Sequence, residues 1–579
     1  MENREDFKLN DCVVGGIASI EHIYNKIKNK KLKGATIKEK DDEIIITIDI
    51  NVQIFKVEFK DDFIFKGFVD GVVKKPVKIV FTKEVVFWSS TFNGDAYFGY
   101  ATFEKDADFR DTIFNGWAYF SNTTFEGDAD FSYTKYKVEA YFSNTTFNKK
   151  ADNKKADFSN TTFEGDADFS NTTFNKKADF KYATTFKKEA YFIYTMFEDK
   201  AYFSNTTFEG NANFSNTIFK KEAYFGYLRY TTTFKKEAYF SNTTFNKKAD
   251  FGSAIFEHAI FKHTTFKKDA DFKNTISGIL EFDKSTFEDI AYFRDIYFGL
   301  LSFIDCTFKN MAEYRYKVKS EEELDKINKE IVKTINKYNN IAIFNNAQFL
   351  NKHTKIINFQ LSKTSFLMTD MREVMLLHNI EENNEKILSH IFFEIKKENK
   401  EEHAIYKKIY DILREDEHHK EFYKDFLEYL NEKSVLAEYR NLRLSIEDNI
   451  TYEEASDLYK LEMEFKKEYS ENDFEKLFIH IYGIISDYGE SVKKIGWWII
   501  CILGAFTILA SSFRCKRIEW DIFKIVEFWW ISFIEVIRIS LQMRTNDKSL
   551  WALEPFIRMA SLILLGNLYI ALRRRLSRK

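Results

Sequence analysis

The sequence predicts a mainly β chain, built as a stacked-repeat β-solenoid followed by an α-helical region and two transmembrane helices. Three observations carry this reading. In "ADFSNTTFEGDADFSNTTFNKKADF" (156–180) five phenylalanines stand 5, 6, 5 and 6 residues apart, with Ala or Thr two places before each. That beat suits neither an amphipathic helix nor a half-buried strand, and a fixed long period marks a stack of repeats. From 370 to 490 the apolar residues switch to three- and four-residue spacing, as on amphipathic helices. Finally, "IGWWIICILGAFTILASSF" (495–513) runs 19 residues without a charge, long enough to cross a bilayer.

Residues 1–80 open with a short charged, helix-like start, and "DEIIITIDINVQIFKVEF" then alternates as strands do. We read 1–80 as a cap on the first coil, because a bare solenoid end offers unpaired strand edges. From Phe81 to Phe308 the beat dominates, in 11-residue double units of "TTF" plus three residues and "A(D/Y)F" plus two. Its slips are informative. "NKKAD" is written twice at 148–157, so Asn153 stands where a Phe is due. After Phe225, "GYLRYTTTF" carries four extra residues, which should bulge out as a loop, and between Phe251 and Phe266 the spacing is 5, 5, 5. "IAIFNNAQF" (341–349) resumes the beat after a charged helical insert near 318–340, and "IINFQLSKTSFLM" (356–368) reads as the last coil, closing the solenoid at 370.

The segment 80–370 resembles the pentapeptide-repeat family in its Phe-centred form, in about forty faces. The resemblance implies a right-handed quadrilateral β-helix with four faces per coil. In that family the central residue of each five, and the residue two before it, point inward. On this reading Phe98, Phe103, Phe109, Phe114, Phe120, Phe125, Phe158, Phe163, Phe169, Phe174, Phe180, Phe203, Phe208, Phe214 and Phe219 form the core. The physical logic is independent of the family. Large residues recurring in register would stack as aromatic ladders along the axis, and small Ala or Thr beside them would leave room for close packing. At about 22 residues per coil the segment gives on the order of ten coils, roughly 50 Å at the usual strand spacing.

Residues 371–494 are expected to be an α-helical cytosolic adaptor. "LAEYRNLRLSIEDNITYEEASDLYKLEMEFKK" reads as a helix hairpin turning at Asp448-Asn449, with Thr451 and Glu454 as a capping box. Residues 495–579 form the membrane domain, with spans near 495–513 and 555–572. Trp497 and Trp498 sit where interfacial aromatics sit, and Arg558 could snorkel. Between the spans, 522–541 is apolar but carries Lys524, Glu527, Glu535 and Arg538, too charged for a simple lipid-facing span. The order of these segments resembles prokaryotic pentapeptide-repeat membrane proteins whose tail is similar to a two-span potassium-channel pore module. That resemblance would put Ala455, Tyr459, Glu462 and Met463 in the hairpin and Tyr488, Gly489 and Glu490 at the membrane entry. Gly566 and Arg573 to Arg575 would mark the end of the last span, and 522–541 would be a re-entrant pore helix. At the filter position this chain reads "RISLQMRTNDKSL", without the Gly that a TVGYG-type strip needs. Glu527, Glu535 and Arg538 could line a polar pathway, or Glu535 and Arg538 could pair on an interfacial helix.

Composition excludes several function classes. A formal net charge of −3 makes no strong field for nucleic acid. Some pentapeptide-repeat proteins bind topoisomerases as DNA mimics, which needs a strongly negative face, but 81–310 holds 29 Lys and Arg against 32 Asp and Glu. Cys12, Cys306, Cys501 and Cys515 are scattered without a CxxC, which suggests neither disulfides nor a thiolate metal site and favours a reducing compartment. The six "NTT" sequons, at Asn122, Asn144, Asn160, Asn171, Asn205 and Asn242, recur because the repeat recurs. "EDEHH" (415–419), with His418 and His419, lacks i, i+4 ligand pairs and reads as a solvated helix face. No catalytic or cofactor motif was found, so no enzyme, cofactor or metal is expected.

The expected function is that of a membrane-anchored, non-catalytic interaction scaffold. Its partners would be the lipid bilayer, a protein on the β-helix surface and, in a possible homo-oligomer, other copies of itself. The alternative is a divergent, oligomeric ion-channel subunit with a cytosolic β-helix regulatory domain. The start has no apolar signal region, and the basic tail "RRRLSRK" with Lys493 and Lys494 places both ends in the cytoplasm, although Arg514, Lys516 and Arg517 argue the other way.

Overall fold

The repeat folds by strands so short that none could stand alone. Most are two residues, such as Ala167–Asp168 and Thr173–Phe174. Each pairs in parallel with the equivalent strand one coil on, so Ala107, Ala129, Ala156, Ala178 and Ala201 lie in one register. Stability therefore belongs to the stack rather than to any coil. The computed structural model describes residues 7–14, 18–19, 25, 28–29, 34–40, 43–64, 77–148, 155–227, 230–317, 327–357, 359–372, 374–377, 386–398, 404–415, 424, 426–448, 452–489, 491–514, 522–543 and 550–577. They form a parallel β-solenoid of about 13 turns, then a helical region.

The turn number exceeds the ten or so coils expected from the Phe beat because pairing extends beyond the beat. Phe7–Asn10 pairs in parallel with Val52–Phe55, and Val52–Gln53 pairs with Val85–Val86. At the other end, Val374–Leu377 pairs with Thr354–Ile357. The stretch read as a cap thus contributes strands to the ladder itself. Its antiparallel pair, Ala35–Glu39 on Ile44–Ile48, occupies an edge that would otherwise be open.

Two side chains set each coil. A threonine hydroxyl donates to the carbonyl of a Phe in the preceding coil, as Thr145 does to Phe120 (2.7 Å) and Thr172 to Phe142 (2.6 Å). Asparagine turns the corner. Asn122, Asn144, Asn160, Asn171, Asn205 and Asn242 all lie at φ between 55° and 62°. Asn is among the few side chains that take the left-handed region readily. The sequons therefore mark corners.

The slips are absorbed locally. Phe131 still stacks on Phe158, at 5.0 Å, across the doubled "NKKAD". Asn153 itself lies outside the described residues. After Phe225, Gly226–Tyr227 and Tyr230–Thr231 form an antiparallel pair outside the parallel ladder. The short coil is taken up by a register shift between Phe234 and Glu237.

The insert forms helix Lys329–Tyr338, with Asn328 as N-cap accepting from the Glu330 N–H and Asn339 closing it at φ 54°. Residues 318–326 lie outside the described residues. Ile327, Ile331 and Ile335 of the insert pack with Tyr297 on the solenoid, with Ile255 and Ile276 against them. Close seating needs Gly299, where an added Cβ would lie 2.7 Å from the Ile335 Cα.

The described chain divides into two units, Met1–Asn379 with Ile387–Leu430, and Ile380–Lys386 with Asn431–Lys579. The first includes helices Leu388–Glu398 and Ala404–Glu415; the former packs on the last solenoid strands. The second holds a helix hairpin, Glu432–Asp448 and Tyr452–Tyr469, then Asp473–Ser486, Val492–Arg514, Ile522–Ser540 and Glu554–Ser577. Ala455, Tyr459, Glu462 and Met463 lie in the hairpin, where Glu462 is buried between Arg440 (3.5 Å) and Arg443 (3.4 Å). Thr451 and His418 and His419 lie outside the described residues.

Candidate functional site

Among the described residues the solenoid interior is filled with rings. Phe98, Phe120, Phe169 and Phe214 lie in one ladder, and Phe109, Phe158, Phe180 and Phe203 in a second. Phe114, Phe163 and Phe208 lie in a third, and Phe103, Phe125, Phe174 and Phe219 in a fourth. All fifteen are fully buried. Within a ladder the rings stack nearly parallel, at 4.8 Å for Phe98–Phe120 and 5.0 Å for Phe169–Phe192. Between the first two ladders they meet edge to face, at 5.4 Å and 90° for Phe169–Phe180. Both arrangements suit the ring quadrupole.

The third ladder holds a tyrosine among its phenylalanines. Tyr136 stacks between Phe114 and Phe163, fully buried, and its hydroxyl has no hydrogen-bond partner among the described residues. Burial pushes its pKa well above the ordinary range. Tyr136→Phe removes a desolvated hydroxyl and keeps the ring, so it should raise stability by about 1 kcal/mol, read as a higher denaturant midpoint.

The outward side chains are ordered in rows as well. Tyr97, Tyr119 and Tyr141 form an outward row, stacked at 4.5 and 5.0 Å. Burial and then the Asp95 carboxylate push the Tyr97 pKa up to about 12. On another face Asp108, Asp130, Asp157 and Asp179 stand in register. Cations answer them: Arg110 sits 2.6 Å from Asp108, Lys155 pairs with Asp157, and Lys181 lies 3.2 Å from Asp179. Burial pushes the Asp130 carboxyl up, against the hydrogen bonds from the Ser132 hydroxyl and N–H. The result is a charge-balanced, ordered surface.

His258 and Glu281 add a titratable pair, Nε2 to carboxylate at 3.1 Å across adjacent coils. Burial lowers the His258 pKa, but the hydrogen bond and charge of Glu281, with Glu237 and Glu257 beyond, raise it further, leaving it above the ordinary 6.5. A folded pKa above the unfolded one adds stability that is complete below pH 6.5 and is lost as pH rises through the folded value. NMR titration should place His258 above 6.5, and Glu281→Gln should bring it down.

The second candidate region is the apolar three-helix module. Ala510, Val536, Ile539, Leu550 and Ile557 form its core, with Leu503, Phe506 and Leu553 against it. Among the described residues two helices are long and apolar enough to cross a membrane, Val492–Ser512 and Glu554–Arg573. Their outer sides, and that of the helix between them, are apolar and open: Trp497, Ile508, Trp530 and Leu562 are all exposed. Glu535 and Arg538 pair at 3.1 Å, one turn apart, and Glu527 is exposed on the same helix. Arg558 has partners on its own helix and on the end of the middle one. Its guanidinium holds Glu554 (2.5 Å) and donates to the Met543 carbonyl (2.9 Å), tying the end of the middle helix to the last one. Tyr488 and Gly489 form the left-handed turn before the first apolar helix; Glu490, Lys516, Arg517 and residues 544–549 of the filter position lie outside the described residues. Among the described residues no group of three or more His, Cys, Asp and Glu could hold a metal ion.

Comparison with known proteins bears on the solenoid. Four segments, residues 87–135, 139–184, 182–228 and 230–276, match the family model described as "Pentapeptide repeats (9 copies)". The chain is similar to an uncharacterized protein of Methanocaldococcus jannaschii, with 58% identity over 243 residues, 42% of this chain and 51% of the relative. It thus spans about half the length of that relative. No solved structure matches the chain. The stacked Phe ladders and the match fall on the same stretch of chain: the described part of the parallel β-solenoid between 87 and 276 is similar to pentapeptide repeats.

Proposed function

We propose that the protein is a membrane-anchored, non-catalytic interaction scaffold with its solenoid and C-terminus in the cytoplasm. The observation that carries this is the closed interior: every ladder ring is buried, so recognition falls to the ordered outward rows. Rows such as Tyr97–Tyr119–Tyr141 repeat one side chain at the coil spacing and suit a protein partner with an extended surface. The paired charges on the Asp row give nucleic acid no reason to bind. The two apolar helices, with open outer sides, supply the anchor, and a homo-oligomer could assemble through them.

One feature favours a second reading, a divergent channel subunit: Glu527, Glu535 and Arg538 lie on the helix between the two candidate spans. The Glu535–Arg538 pair weighs against it, since each charge has a partner on its own helix. Ion flux through proteoliposomes carrying the full chain decides. The scaffold predicts no flux above empty vesicles across voltage, pH and salt. Flux that Glu535→Gln with Arg538→Gln abolishes or re-tunes would overturn it.

A further inference from the structure

Helix Asp473–Ser486 is amphipathic in an unusual sense: its apolar face is the one turned away from the protein. At 100° per residue, Phe474, Leu477, Phe478, Ile481 and Ile484 fall on one arc of about 120°. Their exposures are 76%, 54%, 71%, 41% and 47%. The opposite side faces inward, with Ile479 and Ser486 buried, and the helix packs on Tyr452–Tyr469 and the two candidate spans. A soluble surface rarely leaves two neighbouring phenylalanines and three aliphatics bare on a single short helix.

We propose that this face lies in the lipid interface, at the headgroup–acyl boundary of the leaflet where the first span enters. The inference rests on the membrane reading above. Continuity with the candidate span argues for lipid as the occupant. The helix ends in a left-handed turn at Asp487, Tyr488 and Gly489, and the span begins within a few residues. The Trp498 Nε1–H donates to the Ile484 carbonyl at 3.1 Å, fixing the end of the helix to the first turns of the span. On the span itself Trp497 and Ile500 are also apolar and open, at 66% and 64% exposed. The polar groups suit this depth. Asn472 caps the helix, accepting from the Phe474 and Glu475 N–H groups, and Lys494 meets Asp487 at 3.2 Å where the chain turns. An in-plane helix with bulky apolar residues on its lipid side and polar ends is a stable way to ride in the interface.

The test uses the full-length chain in phosphatidylcholine–phosphatidylglycerol vesicles. The photocrosslinking residue p-benzoylphenylalanine replaces Phe478 in one variant and Ile508, on the span, in another. Both positions are already exposed and apolar, so folding should survive. Lipid adducts at both positions are the expected result. Adducts at 508 with none at 478 would overturn this inference and leave the membrane reading standing. Crosslinks from 478 to a second copy of the chain would overturn it in favour of a dimer face. Lipid adducts at neither position would overturn both.

Discussion

Phe169→Ala should cost about 3–5 kcal/mol, the range for emptying a buried ring site. The site cannot collapse to soften that loss, because Phe142 and Phe192 stack on the ring at 4.9 and 5.0 Å, and Phe158 and Phe180 meet it edge to face. Each neighbour is held by its own coil, so the cavity stays open. The adjacent outward position is the control. Asp168 accepts from the Ser170 N–H at 2.8 Å, so Asp168→Ala forfeits one turn bond, about 0.5–1 kcal/mol. Denaturant unfolding of the two variants should give a clear ratio in favour of the Phe. Equal costs would mean that the ladders do not carry the stability.

In the apolar module, Ile557→Asp should cost several kcal/mol, because it buries an unpaired charge among Ala510, Val536, Ile539 and Leu550. Leu562→Asp is the more telling change. Leu562 is 59% exposed, so in a water-soluble bundle the substitution would be nearly silent. In a bilayer a carboxylate on that face costs about 2.5–3.5 kcal/mol. Folded yield from membranes, compared with thermal unfolding in detergent, separates the two cases. Loss of both variants is expected of a lipid-facing helix, and loss of Ile557→Asp alone would leave the module without a lipid face.

The ladders were legible in the sequence because their period is set by one large residue that nothing else in the chain imitates. The first coils were not, since Phe7–Asn10 and Val52–Phe55 carry no Phe beat and are recruited by the strands they pair with. The corner asparagines looked like a by-product of the repeat, although their backbone angle is what the repeat demands of them. Helix Asp473–Ser486 shows a different limit. An apolar stripe reads the same whether it faces protein or lipid, and only packing reveals that Phe474 and Phe478 point outward. The ion pair of Glu535 with Arg538 was one of two readings open from the spacing, and the helix brings the two side chains together.

The ladder order has a genetic consequence. Phe158 and Phe180, 22 residues apart, share a ladder, whereas Phe169, 11 residues from each, belongs to the ladder facing them across the interior. Recombination within so repetitive a coding region can remove either length without disturbing the motif. Loss of 22 residues shortens the stack by one coil and leaves each remaining side chain at its former bearing. Loss of 11 rotates everything downstream by half a turn, so that a docking face swings to the opposite side while each local unit still looks intact. Lineages can therefore vary the length of such a coil stack freely, but only in whole turns if what it presents is to stay aimed.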